Sequence, residues 1–120
     1  MPKTDVVIFK ETDGTAPLLA WLDDLPQKVQ TKCVVFIERL QEKGHELRRP
    51  TADFLRDGIH ELRPSRQGIH YRMLYFFVDK VAVISHGLIK EKEVPDPEID
   101  AAIERKKRFE ADPDAHTYEE

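Results

Sequence analysis

The residues able to do chemistry gather in one stretch. Between Gly58 and Lys90 stand Glu61, Arg63, Arg66, Tyr71, Arg72, Tyr75, His86 and Lys90, with Lys92 just beyond. Arginine can hold a phosphate and neutralise the charge that grows on it in a transition state. A carboxylate or histidine can take a proton from an attacking ribose hydroxyl, and a second group can protonate the leaving oxygen. Aromatic rings can stack single-stranded bases. The set therefore suits phosphodiester chemistry without a metal. A plainer reading stands beside it: Tyr71 and Tyr75 as core aromatics, and Glu61 paired with Arg72 across neighbouring strands.

Other chemistries have less to build on. The chain lacks a phosphate-binding P-loop, a dinucleotide fingerprint, an HExxH helix and paired zinc-binding cysteines. Ser65 and Ser85 lack the context of a nucleophile elbow. The histidines are scattered, so neither a metal site nor a cofactor is expected.

The elements that position these residues follow from periodicity. Asp5–Lys10 is rich in β-branched residues and predicts a strand. Pro17 opens a first helix with Leu18, Leu19, Trp21, Leu22 and Leu25 on its apolar face. A second helix runs from Pro26 to about Lys43, with Val29, Cys33, Phe36, Ile37 and Leu40 on one buried stripe and Gly44 as its stop. Residues 45–57 read as an irregular polar connection whose Arg48, Arg49 and Arg56 could form a basic lip. Three strands follow: Ile59–Arg63, Ile69–Phe77 and Val81–His86, with Pro64–Gly68 as the first hairpin loop. Both faces of the middle strand are largely apolar, so Arg72 within it needs an anionic partner or an open cleft. A third helix starts near Asp96-Pro97. Its Arg105, Lys106, Lys107 and Arg108 complement the negative end of the helix dipole.

At 120 residues the chain predicts one domain, residues 1–110, followed by an acidic, solvated tail, residues 111–120. The net charge of −4 argues at first against nucleic acid. Its distribution answers the objection. Glu93 to the end holds 10 acidic and 4 basic residues, which leaves 13 acidic and 15 basic in the first 92. The single Cys33 excludes an internal disulfide. No apolar run approaches the roughly 20 residues of a membrane span, and the N-terminus lacks a leader-like apolar core. No membrane partner and a cytoplasmic location are expected.

Four segments together resemble a known family. Gly58-Ile-His-Glu-Leu-Arg63 is followed by Tyr71-Arg72-Met-Leu-Tyr75-Phe76 and then by His86-Gly87-Leu-Ile-Lys90, with Pro95-Asp-Pro-Glu98-Ile99 after them. Ala16-Pro17 to Trp21-Leu22 and Leu25-Pro26 fit as well. In order and spacing these resemble the RelE/ParE toxin superfamily, in particular its HigB-like, phage-derived branch, over about residues 5–108. The resemblance implies an α+β fold of order β-α-α-β-β-β-α, with a mostly antiparallel four-stranded sheet covered by two N-terminal helices. It implies the toxin of a type II toxin–antitoxin pair: an endoribonuclease that cuts mRNA on the ribosome, inhibits translation and arrests growth. Its implied partners are mRNA, the ribosome and a cognate antitoxin, often a helix-turn-helix DNA-binding protein.

Carried over by position, Arg72 matches the phosphate-contacting arginine of the Tyr-Arg motif. Arg63 closes the Glu-Leu-Arg motif, and Lys90 is the basic residue after the last strand. Glu61 or His86 is the expected proton-transfer group. Arg66, Lys92, Tyr71 and Tyr75 are expected to contact RNA. The alternative is a non-catalytic protein-binding module on the same fold. Arg72 discriminates the two: a catalytic guanidinium must reach solvent, whereas a structural one lies buried against Glu61.

Overall fold

A computed structural model describes residues 3–119. The fold is α+β, with three α-helices and a mixed, mostly antiparallel sheet of six strands. Strand β1 is Asp5–Ile8. Helices α1 (Pro17–Asp23) and α2 (Gln27–Lys43) follow. Next come β2 (Ala52–Arg56), β3 (Ile59–Leu62), β4 (Ser65–Arg66), β5 (Ile69–Val78) and β6 (Val81–Lys90). Helix α3 is Asp96–Ala111. Among the described residues, no helix is long and apolar enough to cross a membrane.

The strands lie in the order β1-β6-β5-β3-β2, with short β4 also paired to β5. β1 runs parallel to β6, and the other pairs are antiparallel. Two-residue turns set the register. Asp57 and Gly58 both have positive φ, as do Gln67 and Gly68. That is the backbone a tight hairpin needs to match the twist of its strands.

Alternation along β5 divides the core. Met73 and Tyr75 face α1 and α2, where Leu18, Val29, Cys33 and Leu40 meet Leu62 and Ile84. Leu74 and Phe76 face α3, where Ile99, Ala102 and Phe109 meet Ile59 and Val83. Each such large side chain contributes about 1.5–3 kcal/mol by leaving water. Cys33 lies within the first core, and burial pushes its thiol up to about 11. That keeps it a packing residue.

Three expectations need correction. The sheet has six strands instead of four, because 45–57 is not all irregular and the β3–β5 loop carries β4. β2 is an edge strand that buries only Ala52, so no apolar alternation marks it. The two N-terminal helices cover one face only; α3 covers the other. Part of the C-terminal segment docks on the domain instead of standing in solvent. His116 is buried, and its ring stacks on Phe9 with centroids 4.9 Å apart. The Lys10 N–H donates to the His116 carbonyl, and the Tyr118 N–H to that of Ile8. The outer edge of β1 offered unpaired backbone groups, and this segment takes them despite its acidity.

Gly87 fixes how α1 meets the sheet. A methyl built there falls inside the Trp21 ring, so only glycine lets the indole lie on β6. Gly87→Ala is expected to cost about 1–3 kcal/mol by overpacking. Urea unfolding should show a lowered midpoint at unchanged slope.

Candidate functional site

Register builds the site. In β5 and β6, Arg72 stands opposite Leu88 and His70 opposite Lys90. In β3, Glu61 stands opposite Leu74. Residues facing each other across antiparallel strands share a face, and i, i+2 residues do too. Glu61, Arg63, His70, Arg72 and Lys90 therefore share the face that α3 packs on. α3 covers the Leu74–Phe76 part of it. The end carrying exposed His70 and half-buried Lys90 stays open.

A cleft of about 500 Å³ lies at that end. Arg63, His70, Arg72, Lys90 and Lys92 reach it from the strands and the end of β6. α2 adds Lys32 and Arg39, and the connection before β2 adds Arg49. Lys32 is held there by donating to the Ser65 carbonyl. Seven Lys or Arg side chains thus line the cleft, against one carboxylate, Glu91.

The cations differ in how free they are. Arg49 pairs with Asp53 at 2.8 Å. Arg63 Nη1 meets Glu61 Oε2 at 2.5 Å. Arg72 Nε faces the other Glu61 oxygen at 3.1 Å, off the axis of its N–H bond, and Arg72 Nη1 donates to the Tyr71 carbonyl at 2.8 Å. Burial pulls the Arg72 pKa down and Glu61 pulls it back up; a guanidinium stays charged throughout. Lys32, Arg39, Lys90 and Lys92 form no ion pair among the described residues. The Lys90 ammonium sits at the crowded centre. Burial first, and then Arg72 beside it, hold its pKa below the ordinary lysine value, although Glu61 opposes them. Such a field attracts a polyanion.

The structure brings some expected residues together and separates others. Arg63, Arg72, Lys90 and Lys92 line the cleft. Glu61 lies beneath it, 2% exposed and bound to two arginines, so it is not a free base. Arg72 is also 2% exposed and is the floor of the cleft more than a hand within it. Tyr71 and Tyr75 lie on the opposite face, in the α1–α2 core. Burial pushes the Tyr75 hydroxyl up to about 12. Neither ring is offered to a base. Arg66 faces a separate groove. Of the basic lip, only Arg49 reaches the cleft; Arg56 instead binds Asp57, Asp96 and Asp100.

His86 is displaced as well. It is buried under α3, with Nδ1 within 2.8 Å of Ser85 Oγ and 3.0 Å of Arg105 Nη1, and Nε2 3.3 Å from Glu98. Arg105 and Arg108 both reach Glu11, which ties α3 to the end of β1. An imidazole that accepts from Arg105 must be neutral at Nδ1. Burial first, then Arg105, lower the His86 pKa; Glu98 opposes them. A lowered folded pKa gives stability that is present above the unfolded value and lost as protons bind at lower pH. Stability is expected to fall as pH drops below about 6.5, the ordinary histidine value. His60, lowered mainly by burial, adds to the same slope. Unfolding midpoints measured down a pH series should show it, and His86→Gln should flatten it.

Sequence reasoning missed His70, Lys32 and Arg39. His70 shares strand parity with Arg72, so alternation alone could have found it. Lys32 and Arg39 are spaced i, i+7 on the exposed side of α2, and only the tertiary fold places them by the sheet.

None of the curated proteins compared matches the chain. The family model described as phage-derived protein Gp49-like (DUF891) matches residues 20–107. That span runs from within α1 through α2, strands β2–β6 and most of α3, leaving out β1, and holds every residue lining the cleft. The chain therefore belongs to the phage-derived Gp49-like (DUF891) family.

Proposed function

We propose that the chain is the toxin of a type II toxin–antitoxin pair, an endoribonuclease that cuts ribosome-bound mRNA and is held in check by a helix-turn-helix antitoxin. The observation that carries the reading is the cleft, with seven cationic side chains, one carboxylate and an exposed imidazole. RNA presents one negative phosphate per nucleotide, and a groove of lysines and arginines tracks that backbone.

The chemistry follows from placement. Lys32, Arg39 and Arg63 bind the phosphate oxygens. His70 takes the proton from the ribose 2′-hydroxyl as its oxygen bonds to phosphorus. The bond from phosphorus to the 5′-oxygen breaks, and that oxygen takes a proton from Lys90. Burial and neighbouring cations make the Lys90 ammonium a better acid than a free one. The products are a 2′,3′-cyclic phosphate and a 5′-hydroxyl.

Inducible expression of the parent and of Lys90→Ala, with growth followed and mRNA 5′ ends mapped, tests this. Arrest with new cuts, both lost in Lys90→Ala, is the expected result. Arrest without cuts overturns the nuclease assignment. One observation favours a second reading, the non-catalytic binding module: Arg72 is locked against Glu61. Soluble protein that neither arrests growth nor cuts RNA would favour that reading.

A further inference from the structure

We propose that a second groove, between the start of α2 and the β4–β5 hairpin, docks a segment of another protein whose apolar side chains are flanked by carboxylates. The groove holds about 380 Å³. This is near the low end of the roughly 300–1,000 Å³ of small-molecule pockets, room for a few side chains. Pro26 and Ile69 give it exposed apolar walls, and buried Val29 and Tyr71 form its base. Its charged lining is Lys28 and Arg66, and no carboxylate lines it.

The apolar surface extends beyond the groove. Ile69 is 44% exposed, and Ile89, which stands opposite Tyr71 in the next strand, is 53% exposed. These are two of the five large hydrophobic residues exposed among those described. The pair shares a face of adjacent strands, so the two form one patch with the groove. Contiguous apolar surface rimmed by polar groups marks interaction sites. The groove is also preformed: the Lys32 bond to the Ser65 carbonyl pins the hairpin against α2.

Chemistry selects the occupant. The apolar walls call for aliphatic or aromatic side chains, and Lys28 and Arg66 call for Asp or Glu beside them. RNA fits less well. Tyr71 is 4% exposed, so the groove offers no ring face on which a base could stack. The site is distinct from the cationic cleft, with which it shares no lining residue.

The test uses a library of random short peptides displayed against the purified full-length protein. Enriched sequences should combine large apolar residues with Asp or Glu. The best of them, made as a free peptide, should bind Ile69→Asp and Arg66→Glu at least tenfold more weakly than the parent. It should bind Arg63→Ala as it binds the parent. Replacing its acidic residues with lysine should restore binding to Arg66→Glu. Ile69 is exposed, so Ile69→Asp should fold, and its unfolding midpoint is the control. No enrichment, or enriched peptides indifferent to both substitutions, overturns the proposal. So does an RNA oligonucleotide whose binding Ile69→Asp abolishes, or a concentration-dependent dimer that Ile69→Asp breaks. Growth arrest is read separately: its absence in the parent counts against the toxin reading and leaves the groove untouched.

Discussion

Glu61→Ala is expected to destabilise the protein by about 3–5 kcal/mol, the cost of leaving a buried charge without its partner. Glu61 and Arg72 side chains are each 3% exposed. Removing the carboxylate strands the Arg72 guanidinium between β3 and β6, where water cannot replace the lost oxygens. Arg63 loses a partner too, but its side chain is 19% exposed and can turn to solvent. Arg63→Ala should therefore cost far less than Glu61→Ala. The double change Glu61→Leu with Arg72→Met should come back close to the parent, since apolar replacement of a buried pair is often neutral or stabilising. Urea unfolding of the set checks this. A Glu61→Ala protein within about 1 kcal/mol of the parent, no more than a surface ion pair contributes, would mean that water enters beneath the cleft.

That expectation changes how the site should be probed. Arg72 is the residue a sequence-based reading would remove first. Arg72→Ala leaves Glu61 with Arg63 alone and opens a hole beneath the cleft, so its loss of activity would report folding as much as chemistry. Lys90, half-buried and in no ion pair among the described residues, gives a cleaner substitution.

Much of the fold could be read from local pattern. The α2 stripe, the apolar middle strand and the helix opening at Asp96-Pro97 all announce themselves at short range. The missing strand had a signal too. Asp57-Gly58, set between Phe54-Leu55 and Ile59, is a strong hairpin marker. It is obscured because β2 is an edge strand with polar and exposed positions. The docked C-terminus had no such marker: the Phe9–His116 stack joins residues more than a hundred positions apart, and acidity pointed toward solvent.

The site was half legible for a similar reason. Strand parity by itself separates Tyr71 and Tyr75 from Arg72, and it joins His70 to Arg72. Residue type pulled the other way, gathering tyrosines and arginines into one RNA-binding set. His86 has the parity of Lys90, but α3 closes over it, and helix placement is a tertiary fact. Lys32, Arg39 and Arg49 come to the cleft from α2 and the connection before β2. No spacing within the sheet could have predicted them.

His70→Ala is expected to lower the rate of mRNA cleavage by about 10²–10⁴-fold, the usual contribution of a positioned proton acceptor. Three observations lead to this residue. Glu61 is held by two arginines, and His86 lies under α3. His70 is exposed, lines the cleft and stands opposite Lys90, the proposed acid. Its exposure means that the substitution should leave the fold intact, which separates it from Glu61→Ala. Cleavage of ribosome-bound mRNA with and without added imidazole supplies the distinguishing readout. Imidazole should restore part of the rate lost in His70→Ala and leave the parent's rate unchanged. Binding of uncut RNA should change little, because Lys32, Arg39 and Arg63 keep the phosphate. A His70→Ala rate within a few-fold of the parent would instead pass the role to Glu91, the one carboxylate lining the cleft. Glu91→Gln should then show the rate loss that His70→Ala does not.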